Sequence, residues 1–146
     1  MSQDLKPLIL EVLHKGYLMS LGTVDAGGVW VSDVIYVFDD DLNIYWMSDP
    51  DVRHSQAIMK NNSVAVAIAA SGQGEDNFGL QLAGVVSKID GPRYDLAVKH
   101  FTKRQKPLPS ETDDVLEGDS WYMLKPTFIE LIHEPLFGFK KQKLEL

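Results

Sequence analysis

The stretch VIYVFDDDLNIYWMSDPDVRHSQAIMKNNSVAVAI, Val34 to Ile68, decides how the rest of the chain is read. It opens with β-branched and aromatic residues, which suit a pleated, half-buried strand. The acidic triplet Asp39-Asp40-Asp41 with Leu42-Asn43 reads as a turn into a strand from Ile44 to Met47. Asp49 followed by Pro50 is a good N-cap and first-turn pair, so Arg53 and His54 fall in the opening turns of a short helix. Val64 to Ala70 then reads as a central strand covered on both faces, because its small apolar run is nearly unbroken. Cations at the positive end of a helix dipole cost about 0.3 to 1 kcal/mol. Either nearby acids neutralise this pair, or an anion binds beside it.

Upstream, Leu5, Leu8, Ile9, Val12 and Leu13 share the face of one helix, with Ser2 available as its cap and Gly16 as its stop. Tyr17 to Val24 and Val29 to Phe38 read as strands joined by Asp25-Ala26-Gly27-Gly28, whose glycines supply positive φ for a tight hairpin. With Ile44 to Met47 they make a three-stranded meander. Downstream, Ser71 to Asn77 is a polar loop and Phe78 to Ile89 a long strand bent at Gly84. Asp90-Gly91-Pro92 opens a helix whose Tyr94, Ala97, Val98 and Phe101 share a face, and a polar loop runs from Lys103 to Asp119. Trp121 to Leu124 and Phe128 to His133 read as two closing strands around Lys125-Pro126-Thr127.

Six or seven short strands with helices between hairpins favour a mainly β, α+β fold: an antiparallel split barrel with peripheral helices. The 146 residues, 45% of them hydrophobic, suffice for one core, and the whole chain, 1–146, reads as one domain. A net charge of -7 argues against nucleic-acid or anionic-membrane binding, since phosphate backbones are held by accumulated positive charge. No segment is apolar for long enough to cross a bilayer, the N-terminus does not read as a signal peptide, and cysteine is absent. These features fit a soluble, cytoplasmic protein.

No G-x-S-x-G, Walker loop or dinucleotide fingerprint is present, and His14, His54, His100 and His133 are scattered without the acids of a metal site. No metal and no catalytic base are assigned. Trp30, Trp46 and Trp121 read first as core or interface anchors. For Arg53, an i, i+4 ion pair with Asp49 is the favoured reading on spacing alone.

The order of elements, and above all VIYVFDDDLNIYWMSDPDVRHSQAIMKNNSVAVAI and GLQLAGVVSKID, resembles the flavin-binding split barrels related to pyridoxamine 5'-phosphate oxidase. The resemblance covers nearly the whole chain. It implies a homodimer with FMN in a cleft between the two barrels and redox chemistry on a small molecule. Ser48 falls where the family has a hydroxyl near the phosphate, and Arg53 matches the arginine of its serine-arginine-lysine element. This reverses the preference for an Asp49 pair. His54 stands where the family commonly has lysine, and Ser32 approximately where the oxidase has another cation.

Ser32 and Asp33 interrupt an apolar strand and read equally as an exposed face near a dimer cleft or as part of a stretch, Val31, Ser32, Asp33 and Val34, whose main-chain groups face the flavin ring; Met47 is a further cofactor-binding candidate. The oxidase glutamine at the ring aligns nearer Gly79, but alternation keeps Gly79 and Gln81 on one face, so Gln81 is the candidate. Lys140 and Lys141 read as a solvated basic tail. The expected protein is thus an FMN-dependent oxidoreductase. The alternative is a non-catalytic flavin-, deazaflavin- or haem-binding sensing module of the same fold.

Overall fold

In the computed structural model, which describes residues 4–146, eight strands and four helices form one curled antiparallel sheet with its peripheral helices. They run α1 (Lys6–Lys15), β1 (Leu18–Asp25), β2 (Gly28–Ile35), β3 (Val37–Phe38), β4 (Ile44–Ser48), α2 (Arg53–Lys60), β5 (Ser63–Ala69), β6 (Phe78–Ile89), α3 (Tyr94–Lys103), β7 (Ser120–His133), α4 (Glu134–Phe137) and β8 (Gln142–Glu145). The sheet order is β2-β1-β5-β6-β7-β4-β3, with β8 added to β7. The two ends of this path, β2 and β3, are separated by one residue, Tyr36. The sheet therefore closes on itself through a single kinked strand, as expected of a barrel.

The expected strand Val29 to Phe38 is in fact two pieces. Val37 pairs with Tyr45 and Phe38 with Ile44, whereas β2 pairs only with β1. Tyr36 is fully buried at the break, its hydroxyl donating to the Leu13 carbonyl at 2.7 Å. Lysines from α3 hold the same corner, Lys103 donating to the Tyr36 carbonyl at 2.6 Å and Lys99 to that of Phe38 at 2.8 Å. Carbonyls left free by the kink are thus satisfied by side chains.

Other expectations need correction. Trp121 to His133 is one strand, because Lys125-Pro126-Thr127 forms a bulge opposite Ala83 and Gly84 rather than a turn. Proline is tolerated at such a bulge. A Cβ on Gly84 would collide with the Lys125 carbonyl, so glycine is required by close approach. In the first hairpin only Gly28 has positive φ, at 108°. The buried face of α3 is Leu96, Ala97 and His100, not the Tyr94 face. Ser2, read as a cap for α1, lies outside the described residues.

The main core takes Ile9, Val12 and Leu13 from α1 and inward residues from β1, β2 and β4 to β7. Trp46 and Tyr122 stack within it at 5.7 Å between centroids. Burying side chains of this size stabilises the fold by about 1.5–3 kcal/mol each. A smaller cluster of Val37, Tyr45, Leu96, Ala97 and Trp121 sits under α3, covered by Val115 and Leu116 of the polar loop.

Candidate functional site

The site begins where β3 and β4 stop pairing. Their ladder ends at Val37–Tyr45, so Trp46, Met47 and Ser48 continue without a ladder partner on that side, as does the outer edge of β2. Two unpaired backbone edges diverge from Tyr36, and α2 packs on β1 and β2 at this end of the barrel. Free N–H and C=O groups along Val31 to Val34 can bond a planar polar ligand. Val34's own side chain is in the core, and Val31 and Asp33 alternate onto the outer face. Asp33 accepts a hydrogen bond from Ser20 at 2.7 Å.

Arg53 and His54 are the first two residues of α2. Asp49 does not cap the helix. Its side chain accepts from the Asp51 N–H at 2.9 Å within the preceding turn, and Val52 occupies the cap position without a side-chain bond. The first-turn N–H groups of α2 therefore lack a capping side chain, which leaves donors and the positive end of the dipole for an anion.

The two side chains point to different neighbours. Arg53 makes a two-pronged pair with Asp25, Nε to Oδ2 at 2.9 Å and Nη2 to Oδ1 at 3.1 Å, and its guanidinium lies 4.3 Å from the Trp30 ring centre. The hydrogen bond from Arg53 holds the Asp25 carboxyl below the usual carboxylate range and raises Arg53 in turn. An acid does neutralise Arg53, but it is Asp25 across the hairpin, not Asp49. A shallow depression of about 640 Å³ surrounds the pair, lined also by Gly27, Asp51, Gln56 and Lys60. His54 instead turns to Ser48, Nε2 to Oγ at 2.9 Å, and is half-buried. Burial lowers its pKa below the ordinary value, so it is neutral near pH 7.

Gln81 is not at the wedge. It lies on the outer face of β6, in one cross-strand row with Ala67, Ser20 and Asp33, and Lys141 donates to its Oε1 at 2.7 Å. Lys140 and Lys141 are exposed and precede β8, whose residues Gln142–Glu145 pair with β7. Around Gln81 the outer sheet is mixed: Ala65, Ala67 and Ala69 are exposed and Val31 is 63% exposed, while Asp33, Ser20 and Glu130 share the Gln81 row. The reading of β5 as covered on both faces fails within one chain, where exposure alternates strictly.

Asp25 is the site residue that sequence reasoning missed. In the sequence it reads as part of a turn, and no local signal links positions 28 apart. Trp46 and Trp121 are core as expected, while Trp30 is half-exposed beneath Arg53. Among the described residues no group of three metal-ligating side chains converges, and no helix is long and apolar enough to cross a membrane.

A mostly antiparallel sheet curled into a barrel and split at one seam defines the split-barrel class of folds. The chain belongs to the pyridoxamine 5'-phosphate oxidase family, whose profile matches residues 5–130. It is similar to the UPF0306 protein YhbP of Escherichia fergusonii, 28% identical over 96 residues that span 63% of this chain and 64% of that protein. The match thus spans less than two-thirds of these curated relatives. Among solved structures, General Stress Protein 26 from Bacillus anthracis superposes with a TM-score of 0.72 at 18% identity, covering 99% of this chain and 100% of the other. A heme binding protein from Mycobacterium smegmatis gives 0.75 at 14% identity, covering 99% of this chain and 59% of that one. At these identities the structural likeness speaks to fold alone.

Proposed function

We propose that the protein is a homodimeric, FMN-dependent oxidoreductase acting on a small molecule. The observation that carries this reading is the wedge itself: two unladdered strand edges beside an uncapped helix start that bears Arg53 and His54. Ser48, Arg53, His54 and the first-turn N–H groups would hold the phosphate, and Met47 with the main chain of Val31, Ser32, Asp33 and Val34 would line the ring. Gln81 sits on the outer face, with β1 and β5 between its strand and β2. In a dimer formed through that face it would reach the ring from the second subunit. Exposed alanines on β5 support this association, since small residues allow two sheets to approach closely.

Bound flavin would supply two-electron redox chemistry, and the protein's part would be to orient and tune it. Arginine grips phosphate with a planar fork, whereas a neutral His54 offers at most one donor. His54 is therefore the weaker contact at neutral pH, and Arg53 the dominant one.

The test is binding. FMN should raise the melting temperature and give a flavin visible spectrum in the purified protein. Arg53→Ala should weaken FMN about tenfold or more, the scale of a lost charge-assisted hydrogen bond, while riboflavin, lacking the phosphate, changes little. Equal losses for both ligands would remove Arg53 from the phosphate. The second reading, a haem-binding or sensing module, is favoured by the heme-binding neighbour. A Soret band after haem addition, with no response to FMN, would establish it instead.

A further inference from the structure

The Arg53 fork is already filled by a carboxylate of the same chain. Asp25 offers two oxygens to two nitrogens in the plane that a phosphate would use, at 2.9 and 3.1 Å. The pair is tied at both ends. Asp25 Oδ1 also accepts the Gly27 N–H at 2.8 Å, fixing the β1–β2 hairpin, and Arg53 is seated over Trp30 at 4.3 Å. Neither partner is deeply buried, with side-chain exposures of 39% for Arg53 and 22% for Asp25. An exposed ion pair of this kind is weak enough to be exchanged.

We infer that Asp25 is an internal competitor for the ligand's phosphate: it holds the Arg53 guanidinium in the ligand-free protein, and binding exchanges one bidentate anion for another. This rests on the reading of Arg53 as a phosphate contact. Its consequence is specific. Asp25 sets phosphate affinity, and therefore discrimination between the phosphorylated and unphosphorylated flavin, without being a contact in the complex. The hairpin tip from Asp25 to Gly28 gains freedom when the pair opens, because its tie to α2 is lost. A purely structural pair would behave oppositely: deleting Asp25 would loosen Arg53 and weaken the ligand.

Asp25→Asn isolates the charge. Asparagine Oδ1 can still accept the Gly27 N–H, so the hairpin keeps its turn, while the guanidinium loses its anionic partner. Calorimetric titration of the full-length protein with FMN, riboflavin and inorganic phosphate gives the comparison. Asp25→Asn should tighten FMN and phosphate about two- to fivefold, the range of an exposed ion pair converted to affinity, and leave riboflavin within about 1.3-fold. Asp25→Glu, which keeps the charge, should stay near wild type. Unchanged or weaker FMN binding in Asp25→Asn, with wild type binding FMN through Arg53, overturns this inference and leaves the functional reading standing. If FMN binds neither protein, or binds with no dependence on Arg53, the functional reading fails first and the competitor role fails with it.

Discussion

The two faces of β5 are built from the same small apolar alphabet and end differently. Val64, Val66 and Ile68 point inward and are buried to 5% exposure or less, in one core with Trp46, Tyr122 and α1, whereas Ala65, Ala67 and Ala69 point outward and stay exposed. One face is completed by folding. The other sets small exposed alanines beside Val31 and a polar row of Asp33, Ser20 and Gln81, a mixed surface of the kind that association can cover. A continuous apolar run predicts cover on both sides, and the chain itself supplies only one. Apolar patterning reports a need for burial and not its source, so the second cover is left to a partner subunit in the proposed dimer.

Three experiments press on this contrast. Trp46→Ala strikes the inner face, where it leaves a cavity against the stacked Tyr122 ring, and should cost about 3–5 kcal/mol in denaturant unfolding. A loss under about 1 kcal/mol would mean that the inner packing is far looser than described. Ala67→Glu places a charge in the middle of the outer face. It should raise the dimer dissociation constant at least about a hundredfold, about 2.7 kcal/mol, while changing subunit stability by no more than about 0.5 kcal/mol. Sedimentation equilibrium decides it: a wild-type monomer, or a dimer indifferent to the introduced carboxylate, would refute association through this face.

The third and smallest effect is acid sensitivity, which belongs to neither face of β5 but to the smaller cluster under α3, where His100 packs on Trp121. His100 is 4% exposed and neither ring nitrogen has a hydrogen-bond partner. Burial, followed by repulsion from Arg104 and Lys103, pushes its pKa down to about 4. An unfolded histidine titrates near roughly 6.5, so between these values the unfolded chain binds a proton that the folded chain refuses. This contribution to stability is therefore full above about pH 6.5 and falls, by about 2 kcal/mol, as pH drops to about 5. His100→Gln should flatten that window. A profile of the same steepness in the variant would assign the acid loss to other groups.

Much of the fold follows from local pattern. Strand periods, the Asp39 turn and the helix at Arg53 are each signalled within a few residues, and Asp39 indeed accepts from the N–H groups of Asp41 and Asn43 at 2.9 and 3.0 Å. Expectation and structure part where a local signal has a non-local cause. Lys125-Pro126-Thr127 looks like a turn, yet Gly84 on the neighbouring strand makes room for a bulge. Asp49 looks like a cap, yet its carboxylate is engaged by Asp51 before the helix begins. The same limit applies at the site. Ser48, Arg53 and His54 are close in sequence and are grouped by the family resemblance, while Asp25 enters only because the first hairpin folds back over α2.

The single-residue junction at Tyr36 has a mechanical meaning. Both lips of the wedge spring from one anchored ring, so the gap's width is a lever amplified from the interior rather than a property of a loose surface loop. In the proposed complex, a ligand that needs a wider gap would have to displace a side chain bonded to Leu13 and a carbonyl clamped by Lys103. Under the proposed function, ligand breadth and resistance to unfolding would be coupled through this pivot, so that neither could be tuned there without disturbing the other.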